Sequence, residues 1–179
     1  MNFTWIPFYK EFAEKLLQFQ TDRKKLLKLI YDNRATLLAD YLHDEGGKDD
    51  LFTDIDPFTT FGIFNRGVKK ENRIRSAELF KDLLNMSANV PEDFVGIPIL
   101  NNQKSHFFGF RRDREDDDID NLWSLFVKVV KKENFEDEYN IVIRQYIIRV
   151  NITMALFWIR PEDFLAFDST NRAYLKEHY

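Results

Sequence analysis

Apolar residues recur at helical spacing through most of this chain. Phe8, Phe12, Leu16 and Phe19 fall four, four and three residues apart, with Lys10, Glu14, Lys15 and Gln18 on other faces. Pro7 suits a first turn, so the opening segment is predicted as an amphipathic helix. Thr21-Asp22 is an N-cap-like pair for a second helix, which carries Leu26, Ile30, Leu37 and Tyr41 near one face and Arg23, Lys24, Lys25 and Lys28 toward solvent. The two helices are expected to pack as a hairpin. A polar loop from His43 to Asp50 follows, and then a Phe-rich stretch over 54–67 whose Pro57, Gly62 and Gly67 argue against one long regular element.

Residues 70–85 again read as helix, with Asn85 as its stop. Pro91 and Pro98 frame a loop-rich middle. In the acidic run, Asp116, Asp117 and Asp118 sit where the positive end of a helix dipole favours them. Ile119, Trp123, Phe126 and Val130 follow at helical spacing, and Lys128, Lys131 and Lys132 close the element. Over 139–159, Ile and Val carry strand propensity, but the length and the lack of Gly or Pro predict a single buried helix ending at Arg160-Pro161. Asp168-Ser169 starts a short final helix. Two Pro-Glu-Asp-Phe blocks, Pro91 to Phe94 and Pro161 to Phe164, read as helix starts. The fold class expected is mainly α: a single compact helical domain over 1–179, with long aromatic-rich loops and at most a minor β element.

Length and composition narrow this further. The 179 residues suit one domain with a core of its own, and 44% hydrophobic against 31% charged excludes a disordered tail. Arg144, Gln145, Arg149 and Asn151 make the longest apolar stretch too polar to span a bilayer, so no membrane partner is expected. Without cysteine there is no disulfide, thiolate nucleophile or Cys-based metal site. The first residues lack the features of a signal peptide, and the expected location is the cytoplasm. A net charge of -4, from 26 basic and 30 acidic residues, excludes a generic polyanion binder and shifts the weight to local charge. A basic island from Arg66 to Arg75 stands against the acidic run from Asp113 to Asp120. The 18 Phe, 7 Tyr and 3 Trp belong mostly to the core.

Enzyme signatures are missing from the sequence. A phosphate-binding loop ending at Gly47-Lys48 would need glycine where Leu42 stands, the three histidines are scattered, and no Gly-x-Ser-x-Gly occurs. No catalytic activity, cofactor or metal is expected in this chain. Asp54, Asp56 and Asp168 are the kind of carboxylates that chance alone brings together. The segment from Phe64 to Arg75 is more suggestive, because a Gly-containing turn opening a basic helix offers N–H groups and guanidinium forks to phosphate oxygens. Arg66, Lys69, Lys70, Arg73 and Arg75 are the phosphate candidates; the plainer reading is a solvated basic helix. From Asn101 to Arg112, amides, aromatics and arginines interleave. Asn101, Asn102 and His106 are the candidates for base edges, with Phe58, Phe61, Phe107 and Trp158 as aromatic walls. The plainer reading plugs the phenylalanines into the core.

Long strings of the chain resemble a known family. Phe3 to Phe12, Asp56 to Gly67, Gly96 to Asn102 with Phe107 to Phe110, and Asn151 to Pro161 through Asp168 to Arg172 are together similar to the N-terminal region of McrB-family AAA+ proteins. These are the GTP-hydrolysing motor subunits of modification-dependent restriction systems. The resemblance implies a DNA-binding targeting module that recognises a methylated or flipped base in duplex DNA. It also implies a downstream AAA+ motor, beginning after Tyr179, and a separate nuclease subunit as partners in antiphage defence. N-terminal domains of that family differ in fold, so no particular modification carries over. Trp158 to Asp168 also looks somewhat like the late segment of helix-hairpin-helix DNA glycosylases, with Asp168 as the catalytic candidate, although the Gly-rich hairpin turn is missing. The alternative from another class is an adaptor that binds a protein through its aromatic surface.

Overall fold

In a computed structural model of the chain, which describes residues 3–102 and 105–178, an aspartate side chain caps the start of three helices. Asp22 accepts from the Lys25 N–H ahead of α2 (Arg23–Asp32), and Asp56 from the Phe58 and Thr59 N–H groups ahead of α4 (Pro57–Gly62). Asp168 accepts from the Asn171 N–H at 2.8 Å, opening α9 (Ser169–His178). In each case the carboxylate satisfies N–H groups that a helix start otherwise leaves unpaired. The remaining helices are α1 (Ile6–Leu16, continued by a 3-10 turn Leu17–Phe19), α3 (Arg34–Leu37), α5 (Lys70–Leu83), α6 (Asp118–Lys131), α7 (Glu136–Val142) and α8 (Asn151–Ile159). Among the described residues, β pairing is limited to two isolated bridges, His43 with Leu51 and Arg66 with Leu100. The mainly α class is the one observed.

Three sequence expectations are corrected. The second helix stops at Asn33, where the side-chain amide donates to the Leu29 carbonyl and the backbone N–H turns to Ile30 instead. This is the competition that makes Asn a poor interior residue. The 139–159 stretch is two helices, α7 and α8, joined by turns in which Arg144, Gln145 and Ile148 each bond back three residues rather than four. A run of β-branched Ile and Val disfavours a continuous helix there. The two Pro-Glu-Asp-Phe blocks are not helix starts: residues 91–94 are irregular with a bend at Glu92, and residues 161–163 form a turn. Their phenylalanines do share a setting: the Arg73 guanidinium lies 4.1 Å from the Phe94 ring centre, and that of Arg160 5.5 Å from the Phe164 ring centre.

The core forms around α6, which packs on α4, α7 and α8, while α8 also packs on α1. Phe12 of α1 meets Phe61, Phe64 and Phe80 with ring centres 4.7, 5.3 and 5.0 Å away. The three tryptophans combine burial with a polar task. The indole N–H groups of Trp5, Trp123 and Trp158 each donate at 2.9 Å to a loop carbonyl, of Val95, Ile55 and Pro98 respectively. Two of these bonds pin the 94–100 loop and so fix where Asn101 leaves the core. The loop after residue 105 is seated by Gly62, whose Cα approaches so closely that an added Cβ would stand 2.6 Å from the Ser105 carbonyl. No helix among the described residues is long and apolar enough to cross a membrane.

Candidate nucleic-acid interface

The helical period divides the basic island into two groups. On α5, Arg73 shares the inward stripe with Ser76, Ala77 and Phe80, at spacings of three, four and seven, and all four are buried. Its guanidinium donates to Asn65 Oδ1 at 2.8 Å and stacks on Phe94. Asn65 Oδ1 also receives the Tyr9 hydroxyl, whose pKa is raised by burial. Arg66 is likewise buried, donating to the Leu38 carbonyl with its guanidinium 4.2 Å from the Tyr41 ring centre. These two arginines, predicted to contact phosphate, are structural residues, since a long stem and a planar, weakly hydrated head let arginine lie along rings inside a protein. Lys69, Lys70 and Arg75 are exposed, and among the described residues they form no ion pair. Lys69 occupies the N-cap position of α5 without a side-chain cap.

The loop that carries the base-reading candidates is laced to this helix start. Leu100 N–H donates to the Asn65 carbonyl at 2.8 Å, and the Asn102 amide donates to the Gly67 carbonyl at 2.9 Å. Asn102 is therefore a latch between the two segments. Asn101 and His106 both line a cavity of about 540 Å³ that is walled on its other side by the α7–α8 connector and the start of α8. Arg112, Asp113, Tyr146, Arg149 and Asn151 supply further polar groups, and Ile99, Ile147 and Met154 supply apolar surface. Gln103 and Lys104, of the same interleaved segment, lie outside the described residues.

His106 has a defined chemical role in this wall. Its Nδ1 lies 2.6 Å from the Phe108 carbonyl, which can only accept, so Nδ1 carries the proton and Nε2 is an acceptor. Burial lowers the imidazole pKa and favours this neutral form. The four residues predicted as aromatic walls lie elsewhere. Phe58, Phe61, Phe107 and Trp158 are fully buried, packed on one another with ring centres 5.8 to 6.3 Å apart. The aromatic groups that do face the cavity are His106, Phe110 and Tyr146.

Other candidates are tied up in structure. Arg111 pairs with Asp50 at 2.8 Å, and Arg111 and Arg114 both approach the fully buried Asp44, at 3.6 and 3.5 Å. This fastens the 43–51 loop to the segment after Phe110. Asp54 pairs with Arg23, while Asp56 and Asp168 cap helices, so these three carboxylates assemble no common site. Sequence reasoning missed Tyr146, Arg149, Asn151 and Met154 in the cavity. The signal was present, because Arg149 and Asn151 interrupt an otherwise apolar stretch at the point where the helix breaks.

Fold and site together define an all-α domain with an amphipathic cavity beside a basic helix start. The chain belongs to a family described as a domain of unknown function (DUF8425), whose model matches residues 5–179. No curated protein and no solved structure matches it.

Proposed function

We propose that this domain binds duplex DNA and receives a modified or flipped base in the cavity lined by Asn101 and His106. The observation that carries the reading is the Asn102 to Gly67 hydrogen bond. It holds the cavity rim next to the exposed Lys69 and Lys70, so phosphate contacts and base contacts can be made by one docked duplex. A volume of about 540 Å³ is within the usual range for ligand sites and is ample for a nucleotide. Its lining offers an imidazole acceptor, side-chain amides and apolar surface, the mixture needed to hold a base taken out of its stack.

The phosphate set in this reading is Lys69, Lys70 and Arg75, with Arg112 and Arg149 at the cavity. The acidic residues that begin at Asp113 repel a phosphate backbone, which favours a duplex running over the start of α5. The resemblance to the N-terminal region of McrB-family proteins supports the same role, a targeting module without turnover of its own that works with a downstream AAA+ motor and a separate nuclease. A binding panel of unmodified, 5-methylcytosine and N6-methyladenine duplexes at fixed salt tests the proposal. One modified duplex should bind more tightly than its unmodified counterpart. Equal affinity for all three would leave DNA binding without modification readout, and no binding to any would end the proposal.

A further inference from the structure

The loop that leads to Asn101 turns one large apolar side chain outward. Its neighbours Pro98 and Leu100 are buried, whereas Ile99 is 50% exposed. The backbone on both sides of Ile99 is tied down. The Pro98 carbonyl accepts from the Trp158 indole at 2.9 Å, and the Leu100 N–H donates to the Asn65 carbonyl at 2.8 Å. A bridge between Leu100 and Arg66 adds to this hold. Isoleucine is also stiff about its first side-chain torsion, because it branches at Cβ. A lone exposed isoleucine is ordinary on a protein surface, but this one is clamped on a fixed backbone.

Its position is a second observation. Ile99 lines the cavity together with Asn101 and His106, and as a half-exposed lining residue it stands at the mouth. Residues 99–102 run beside residues 65–67, which lead directly to the exposed Lys69 and Lys70. On the opposite wall stands Tyr146, 62% exposed. Tyr146 also lines an open groove with Asp113, Glu115, Asp117 and Asp118. A phosphate backbone at that rim meets carboxylates, and at the Ile99 rim it meets lysines.

A base that leaves a duplex opens a gap in the stack, and an unfilled gap draws the base back. An aliphatic side chain can fill it, since the faces of the flanking bases are apolar. Resting on the reading of the cavity as a base site, we propose that Ile99 is the wedge that enters the stack where the base leaves. Lys69 and Lys70 hold the strand beside it, the fixed loop sets the depth of insertion, and the base passes over the rim to Asn101 and His106. Ile99 is thus a positioning residue: its side chain has no polar group with which to read a base edge.

The test uses duplexes that carry 2-aminopurine beside a 5-methylcytosine or an N6-methyladenine, together with a plain duplex and one with an abasic site in place of the modified base. The native chain should brighten the 2-aminopurine on the modified duplex that it prefers. Ile99→Ala should fold as the native chain does, but lose most of the brightening and about tenfold in preference for modified over plain duplex. That is the scale for removing most of an isoleucine's apolar contact. Ile99→Leu, which keeps the volume, should restore both, and Val95→Ala, on the same loop but outside the cavity wall, should change neither. The abasic duplex offers a ready gap and no base to read, so the native chain should prefer it to plain duplex and Ile99→Ala should not. Equal brightening in the native chain and Ile99→Ala, an equal abasic preference in the two, or no abasic preference in the native chain would overturn the wedge and leave the base-reading cavity standing. Discrimination by the native chain without brightening, or no binding to any duplex, would overturn the wedge and the cavity reading together.

Discussion

Arg73 lies with its guanidinium 4.1 Å from the centre of the Phe94 ring, joining α5 to the loop that runs on to Asn101. The same head donates to Asn65, whose backbone carbonyl receives Leu100. One buried cation thus holds the scaffold on which the cavity rim is built.

Arg73→Ala should therefore act on stability before it acts on any ligand. Losing a desolvated cation–π contact and a hydrogen bond to charge costs about 3 kcal/mol, which for a domain of this size lowers the Tm by roughly 6 to 12 °C. Arg73→Met keeps the apolar stem and removes the buried charge, so it should cost less. Thermal denaturation of both variants checks the order; unchanged stability in Arg73→Met would mean that the guanidinium contacts contribute nothing.

Asp56 introduces a pH dependence of defined sign. It is fully buried and in no ion pair among the described residues, and burial pushes its carboxyl up to about 6 despite three hydrogen bonds to the ionised form. Because the folded value lies above the unfolded one, the folded state holds the proton more tightly. This contribution is fully present below about pH 4 and is lost as pH rises through about 6, an effect of order 3 kcal/mol. Asp56→Asn keeps an oxygen for the cap and removes the titration. The stability of the native chain relative to this variant should fall between pH 4 and 7 in urea unfolding. A difference that stays constant over that range would contradict the assignment.

His106 should be found as the Nδ1–H tautomer, with Nε2 unprotonated, in long-range ¹H–¹⁵N spectra at neutral pH. His106→Ala and Asn101→Ala should each reduce discrimination between modified and plain duplex while leaving the salt-dependent background intact, since the phosphate contacts lie on other residues. Discrimination should also weaken at acidic pH once the imidazole gains a second proton and Nε2 becomes a donor. Full discrimination in the His106→Ala/Asn101→Ala double variant would place base reading elsewhere.

What was legible in the sequence was periodicity, and what was not was the use of charge. The spacings of Phe8, Phe12 and Leu16, and of Ile119, Trp123 and Phe126, predicted helices that are present. Reading Arg66 and Arg73 as surface cations followed composition and ignored that same periodicity, which puts Arg73 in line with Ala77 and Phe80. The break between α7 and α8 escaped because neither Gly nor Pro marks it and apolar residues continue on both sides, with Val142, Ile148 and Ile152 all buried. Only local hydrogen bonds distinguish the turns from a helix there, and that break forms one wall of the cavity. Tertiary packing alone decided that Phe58, Phe61, Phe107 and Trp158 face one another and not a ligand.

The salt dependence of duplex binding, compared between the native chain and Lys69→Ala/Lys70→Ala/Arg75→Ala, tests the central claim most directly. Every one of these side chains is exposed, so the variant should keep its Tm, unlike any variant that includes Arg73. Each phosphate contact contributes about 0.9 to the slope of log affinity against log salt. The account predicts steep salt dependence for the native chain, with weaker binding and a slope shallower by up to about 2.7 in the variant. No binding of the native chain to any duplex at low salt, or an unchanged slope in the folded variant, would contradict it.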